Sequence, residues 1–408
     1  MPLAPIGLLI IPLGIYIAVA HPRKLLPLMV FCSVFQASSV SGQFGLSPYV
    51  YIGIIVLIRY ILESAYSLRF VATQIHPAFW FWLWSVASAA FLPVIFAGMP
   101  VLDPRLALEQ IEFGPTPLHP SASNAFQVVL LTINLVAVME ARRTKVDCWP
   151  AFKWAAVVAI AIIYLQVLAG DKFPYFLINN NPAYGQAHMD TSLGLLRPSG
   201  TFVEPSTAGA YFCGLACFCL VNYFEARMSL WKCLLAIATL VVVGSTSGFA
   251  AFGVLVIIIA IRYRPFQSLN IRVGLIKKWA IVAICAVVPF LLAAPLASHL
   301  VENTAGKQGS YSILIRAGAD WFAFQVFVRT YGIGVGLGSI RASSFVVTFL
   351  ASLGIIGVVL FVWFLTKLRP NWITFGILAA MAVGVPDLSL SVFWASLALS
   401  PELTRDQA

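Results

Sequence analysis

The chain is a succession of apolar runs, each about as long as a helix that crosses a lipid bilayer. A membrane-spanning helix takes about 20 mostly apolar residues, and 61% of the 408 residues are hydrophobic whereas only 10% are charged. A soluble core cannot absorb this much apolar surface, and a span must pair its backbone polar groups internally, as a helix does. We therefore predict an all-α, polytopic membrane helix bundle that forms a single transmembrane domain over residues 1–408.

About twelve such runs can be counted when about 20 residues is taken as the length of one span. The last run contains Val385-Pro386-Asp387, an interruption that would divide it into two half-helices. The runs lie at residues 4–20, 25–41, 48–62, 78–98, 122–139, 150–169, 205–223, 231–246, 249–262, 278–298, 344–366 and 371–398.

The basic residues fall in short clusters between the apolar runs, so the net charge of +10 indicates membrane orientation and not a nucleic-acid partner. The more basic set of alternating loops is predicted to be cytoplasmic. Three long connections, 99–121, 170–204 and 299–343, lie on the other side. Because the cytoplasmic loops are too short to form a domain, we expect any chemistry on the outer face, in the last two of these connections.

The segment from Arg197 to Ser206 is the most unusual polar feature, with an arginine and Glu204 seven residues apart just before an apolar run. Charge near the bilayer is costly, so ionisable groups at the mouth of a bundle tend to mark a site for a charged ligand. Arginine binds phosphate oxygens through its planar fork of donors. The outer connections also hold Lys172, Arg316 and Arg341. The alternative is that such residues only reach lipid headgroups, which is the favoured interpretation for Arg105 and Arg329.

Two patterns carry a resemblance to a known family. Arg197-Pro-Ser-Gly-Thr-Phe-Val-Glu-Pro resembles the Arg-x-x-Gly-x-Phe-x-x-Pro motif of the bacterial O-antigen polymerase and ligase superfamily, the Wzy-like proteins. Arg316, the glycine run Gly332–Gly338 and Gly354 then resemble the second outer loop of that superfamily. The resemblance covers roughly residues 190 to 365, and the first half agrees only in its series of hydrophobic spans. A glycine run can also be a packing or turn device without a ligand.

The resemblance implies an inverting glycosyltransferase at the outer face of the bacterial inner membrane. It would polymerise oligosaccharide repeat units carried on undecaprenyl diphosphate into a surface or extracellular polysaccharide. Its partners would be the lipid-linked donor and acceptor, membrane lipids, and a chain-length regulator and export machinery. No cofactor is expected, and arginines can stabilise a leaving diphosphate without a metal.

The predicted site residues follow from this chemistry. Arg197 and Arg316 are predicted to stabilise the diphosphate, and Glu204 to act as the base that orients the acceptor hydroxyl. Glu204 is equally compatible with a simple cap on the helix that follows it. Residues predicted to bind diphosphate or sugar are Arg341, Gly200, Tyr184 and Lys172.

One departure from the family pattern affects the choice between activities. Many members carry a histidine shortly after the glycine run, whereas this chain has Ser339-Ile-Arg341 there and no histidine through residue 408. This favours an exopolysaccharide polymerase over an O-antigen ligase. A transporter or flippase of lipid-linked sugars remains the alternative from another class, although the polar residues concentrate on one face and not at mid-membrane.

Overall fold

The computed structural model describes residues 5–41, 45–67, 76–104, 114–181, 198–263 and 311–399. Helices dominate these ranges, and five of them are long and apolar enough to cross a membrane. They are Pro77–Ile95, Ala122–Thr144, Trp149–Ala169, Pro205–Phe224 and Phe345–Leu368. The prediction of a helical fold with several apolar helices of membrane-spanning length is confirmed at this level. The number of spans stays a prediction, and the run at 278–298 lies outside the described residues.

The helices are numbered in chain order, and a pair of antiparallel strands of two residues each lies between α4 and α5. The helices are α1 Pro5–Ala20, α2 Leu25–Cys32, α3 Pro48–Ser67, α4 His76–Ile95, α5 Ala122–Thr144, α6 Trp149–Ala169, α7 Tyr175–Ile178, α8 Pro205–Phe224, α9 Leu230–Val243, α10 Thr246–Tyr263, α11 Tyr311–Arg329, α12 Phe345–Leu368, α13 Trp372–Gly384 and α14 Ser391–Ala398. The strands are β1 Pro100–Val101 and β2 Thr116–Pro117. Helix α11 occupies part of the segment 299–343 that was predicted as a loop.

Helix α8 is the most deeply buried of the five long helices and packs against α9, α10 and α13. Small residues allow its closest approach to a neighbour. A Cβ added at Gly376 of α13 would lie 2.5 Å from the Cα of Gly214 in α8. Backbones can meet this closely only without side chains between them. The fixed position of α8 matters because Glu204 is its N-cap.

Charged residues join several helices at one end of the bundle. Arg143 near the end of α5 pairs with Glu63 near the end of α3, with Nη2 and Oε2 2.9 Å apart. Arg142 donates from Nη2 to the carbonyl oxygens of Leu368 and Leu397, each at 3.2 Å. The carboxyl ends of α3, α5, α12 and α14 therefore meet here. The amino ends of α3, α5 and α12 consequently lie toward the other end of the bundle.

The apolar run predicted at 25–41 is helical only as far as Cys32, so the prediction of one continuous span there was wrong. The chain then runs in extended form beside neighbouring segments. Ala37 donates its N–H to the carbonyl oxygen of Thr201, and Asn181 donates its N–H to that of Ala37, both at 3.0 Å. The serines in this half of the run also bind backbone groups, which competes with helix formation.

The predicted interruption of the last apolar run is present: α13 ends at Gly384 and α14 begins at Ser391. This break lies against the extended segment after α2. Gln36 donates from Nε2 to Ser391 Oγ at 3.1 Å, and that hydroxyl donates to the carbonyl oxygen of Ser33 at 2.7 Å. Non-helical backbone at membrane depth is tolerated only where it is buried in protein or lines a cavity. The two segments are packed against each other here, and residues of both, among them Gln36 and Ser391, line one cavity.

The glycine run packs into a kink of α12. Gly354 has a φ of 65° inside this helix. The kink leaves backbone groups of α12 without a hydrogen-bond partner inside the helix, and the glycine run supplies partners for them. Ile355, for example, donates its N–H to the carbonyl oxygen of Gly332 at 2.9 Å. A Cβ at Gly336 would lie 2.6 Å from the carbonyl oxygen of Ser88 in α4. These contacts support the packing interpretation of the glycine run.

Replacement of Asn124 by alanine is expected to lower the free energy of unfolding by about 2 kcal/mol, because it removes two buried hydrogen bonds. The side-chain amide of Asn124 donates to the carbonyl oxygen of Leu337 and to Ser339 Oγ, both at 2.7 Å. Thermal unfolding in detergent measures the effect. Gln127→Ala, on the same helix and without a hydrogen bond in the described part of the chain, is the control. Equal melting temperatures for the two variants would show that the hydrogen bonds from Asn124 to Leu337 and Ser339 do not stabilise the fold.

Candidate functional site

A cavity of about 390 Å³ lies beside the break between α13 and α14. Its wall includes Glu204 and Arg341, two of the residues predicted from the sequence, together with Asp387. Helices α3 and α5 complete the wall with apolar side chains and a few polar ones, among them Tyr49 and Asn134. A concave, mostly apolar space with a small number of polar groups is typical of a ligand site.

Glu204 occupies the N-cap of α8, so the cap expected as the alternative role is present. Its backbone N–H donates to Thr207 Oγ1 at 3.3 Å, and Ser206 donates from its hydroxyl to Oε2 at 2.9 Å. The residue is exposed at the rim of the cavity. A negatively charged group interacts favourably with the dipole at a helix N-terminus, so the N-cap position at the entrance suits Glu204. The cap does not exclude a role in binding.

The residues before Glu204 anchor it to the bundle. Phe202 is fully buried, with its ring centroid 5.4 Å from that of Tyr211. Gly200 donates its N–H to Gln166 Oε1 at 2.9 Å and accepts from Gln166 Nε2 at 3.1 Å. Its φ is +62°, and an added Cβ would lie 2.7 Å from Cγ1 of Ile163. Gly200, predicted to bind substrate, is instead buried against α6, where it positions the chain leading to Glu204.

Arg341 reaches the same cavity from the segment before α12. Its backbone N–H donates to the carbonyl oxygen of Leu102 at 3.2 Å. The next residues are held by Asp320 of α11, whose Oδ1 accepts from the N–H groups of Ser343 at 2.8 Å and Ser344 at 3.1 Å. The backbone is thus fixed, whereas the guanidinium is exposed and forms no hydrogen bond or ion pair among the described residues. It is free to bind an anion.

Asp387 lies in the break itself and is partly buried. Its Oδ1 accepts from the N–H of Ser389 at 2.8 Å and from the hydroxyl of Ser389 at 2.7 Å. Within the described ranges, Oδ2 has no hydrogen-bond partner and the carboxylate has no basic one. The sequence marked this residue as part of a helix break. Nothing in the sequence placed it with Glu204 and Arg341.

The deeper wall of the cavity carries neutral polar groups. Tyr49 donates from its hydroxyl to Asn134 Oδ1 at 2.8 Å, a buried pair between α3 and α5. Gln36, Asn181 and Ser391 also line the space. Amide and hydroxyl groups among apolar side chains can bind the hydroxyls of an uncharged polar ligand. The cavity therefore combines a charged rim with a neutral polar interior.

Two other predicted residues that the structure describes, Arg316 and Lys172, are not part of this wall. Arg316 is exposed on α11, one helical turn before Asp320, and Lys172 is exposed in a 3-10 turn after α6. Neither lines the cavity. Arg197 and Tyr184 lie outside the described residues. The structure thus brings together two of the seven predicted site residues and adds Asp387.

The chain was compared with known proteins. No protein-family model matches it, and no curated protein matches it either. The resemblance to the O-antigen polymerase and ligase superfamily therefore rests on the two sequence patterns alone.

Proposed function

We propose that this protein polymerises lipid-linked oligosaccharide repeat units at the outer face of the bacterial inner membrane. The observation that carries the proposal is the shared cavity: Glu204, which belongs to the first pattern, and Arg341, which lies within the stretch that the second pattern spans, line the same space. Taken alone, Glu204 could be only a helix cap, and Arg341 could be only a surface arginine. Their convergence favours one site for one ligand.

The chemistry of the cavity suits this reaction. Transfer of a sugar chain from undecaprenyl diphosphate leaves a diphosphate, and a cation at that position stabilises the charge that develops. Arg341 has an unpaired guanidinium for this purpose in the described part of the chain. The neutral polar interior, with Asn134 and Asn181, suits sugar hydroxyls. Arg197 and Arg316 remain sequence-based candidates for additional diphosphate contacts.

A flippase of lipid-linked sugars is the second candidate, and one observation favours it. Broken helices that bind substrate at their break are common in transporters, and the break before α14 contributes Asp387 to the cavity. A carrier moves its substrate unchanged, whereas a polymerase forms a new glycosidic bond. An O-antigen ligase would form such a bond with a different acceptor, so the three functions differ in their products.

Purified protein reconstituted with an undecaprenyl diphosphate-linked oligosaccharide is expected to form longer lipid-linked chains without ATP. Gel separation of labelled sugar chains measures the products, and protein-free liposomes are the control. Translocation without chain growth would instead support a flippase. Transfer only to a lipid A-core acceptor would support a ligase. Either result would reject the polymerase.

A further inference from the structure

The cavity holds two carboxylates, and they differ in position. Glu204 is exposed at the rim, where it caps α8 and accepts from Ser206. Asp387 is partly buried in the break between α13 and α14. Arg341, the cavity's arginine, is exposed like Glu204. Arg341 and Glu204 are therefore both exposed, and Asp387 is the most buried of the three charged residues that line the cavity.

An inverting displacement requires the base and the group that stabilises the leaving diphosphate to take different positions around the donor. The base and the leaving group must act on opposite faces of the anomeric carbon, with the acceptor hydroxyl between the base and that carbon. Glu204 shares the exposed rim with Arg341, where the diphosphate would bind. Asp387 is more buried and lies among neutral groups, including those of Gln36 and Ser391. The location of Asp387 therefore suits the side from which the acceptor hydroxyl attacks better than the location of Glu204 does.

The contacts of Asp387 also suit a base. Ser389 holds Oδ1 through two hydrogen bonds, at 2.8 and 2.7 Å, which fixes the orientation of the carboxylate. Oδ2 has no hydrogen-bond partner in the ranges that the structure describes. A general base needs one oriented oxygen within reach of the proton that it accepts. Glu204 instead caps the start of α8, where its carboxylate accepts from Ser206 and its backbone N–H donates to Thr207.

We propose that Asp387, and not Glu204, is the general base for the acceptor hydroxyl, an inference that rests on the polymerase function proposed above. The hydroxyl oxygen bonds to the anomeric carbon of the donor while its proton passes to Asp387. The bond between that carbon and the diphosphate oxygen breaks, and the electron pair leaves with the diphosphate, which Arg341 stabilises. The proton on Asp387 is then released to water. Glu204 positions the substrate at the rim.

The test is steady-state kinetics of the reconstituted protein with Asp387→Asn. Asparagine keeps Oδ1 and so can retain both contacts from Ser389, which preserves the local fold. We expect kcat to fall at least about 100-fold, the usual contribution of a general base, with KM changed less than about threefold. Glu204→Gln should instead raise KM.

Glu225→Gln provides the matched control, because it makes the same chemical change at an exposed residue whose partner is Arg227, with Nη1 and Oε2 3.1 Å apart. Its kinetics should equal those of the wild type. A kcat for Asp387→Asn within about threefold of the wild type would overturn the role of Asp387 and leave the polymerase function standing. Absence of chain growth with the wild type would overturn the polymerase function and this role together.

Discussion

Replacement of Arg341 by alanine is expected to reduce chain growth by about 100- to 1,000-fold, the usual effect of removing one donor that stabilises a developing anion. The guanidinium lines the cavity and forms no ion pair among the described residues. Its charge is therefore available to a diphosphate. The backbone around it is held by Leu102 and Asp320, so the substitution should leave the fold intact. Labelled chain growth in proteoliposomes measures the loss.

Arg329→Ala is the matched control for Arg341→Ala. Arg329 is exposed at the end of α11 and does not line the cavity, so its loss should leave chain growth unchanged. Equal activity of the two variants would remove Arg341 from the mechanism. The corresponding alanine variants of Arg197 and Arg316 are also predicted to be inactive, from their sequence patterns. Arg316 requires its own measurement because it lies outside the cavity wall.

Gly354→Ala is expected to destabilise the protein by about 4 kcal/mol or more, through strain at a backbone conformation that only glycine adopts freely and through a collision. Gly354 has a φ of 65° and a ψ of −169° within α12. An added Cβ would collide with the carbonyl oxygens of Ile333 and Gly332. Both oxygens belong to backbone that cannot rotate away. The yield of monodisperse protein and its melting temperature in detergent measure the effect.

Gly253→Ala serves as the comparison for Gly354→Ala. Gly253 lies in α10, and an added Cβ there meets no atom within 4 Å. Alanine in a helix is favoured over glycine by about 1 kcal/mol, so this variant should be as stable as the wild type or slightly more so. A Gly354→Ala protein that melts together with Gly253→Ala would show that α12 can form without its kink.

Part of the fold could be predicted because the length of an apolar run indicates a helix almost regardless of which segments pack against that helix. The runs at 122–139 and 205–223 became α5 and α8 with shifts of a few residues. The run at 25–41 became a short helix followed by an extended segment. Its apolar composition is compatible with a full span, but the partners that keep the second half extended, Thr201 and Asn181, come from elsewhere in the chain. Such contacts are not visible in local composition.

The site was predictable to a smaller extent for the same reason. Glu204 was noticed because a charge stands out at the start of an apolar run, and Arg341 because a basic residue follows the glycine run. Gly200 belongs to the same pattern as Glu204, yet its backbone is hydrogen-bonded to the side chain of Gln166, so it has a structural role. Asp387 was recognised only as a break. Its place in the cavity depends on how the last helices pack against the segment after α2, which one sequence does not specify.

The hydrogen bonds from Gln36 to Ser391 and from Ser391 to Ser33 join segments that are separated by 355 and 358 positions in the sequence. During synthesis, the first wall of the cavity enters the membrane long before residues 385–391 leave the ribosome. Until the last helices arrive, the extended segment after Cys32 lacks these partners, and lipid offers none in their place. Synthesis of residues 385–391 therefore supplies the partners of Gln36 and Ser33 and adds their own side of the cavity wall in the same step.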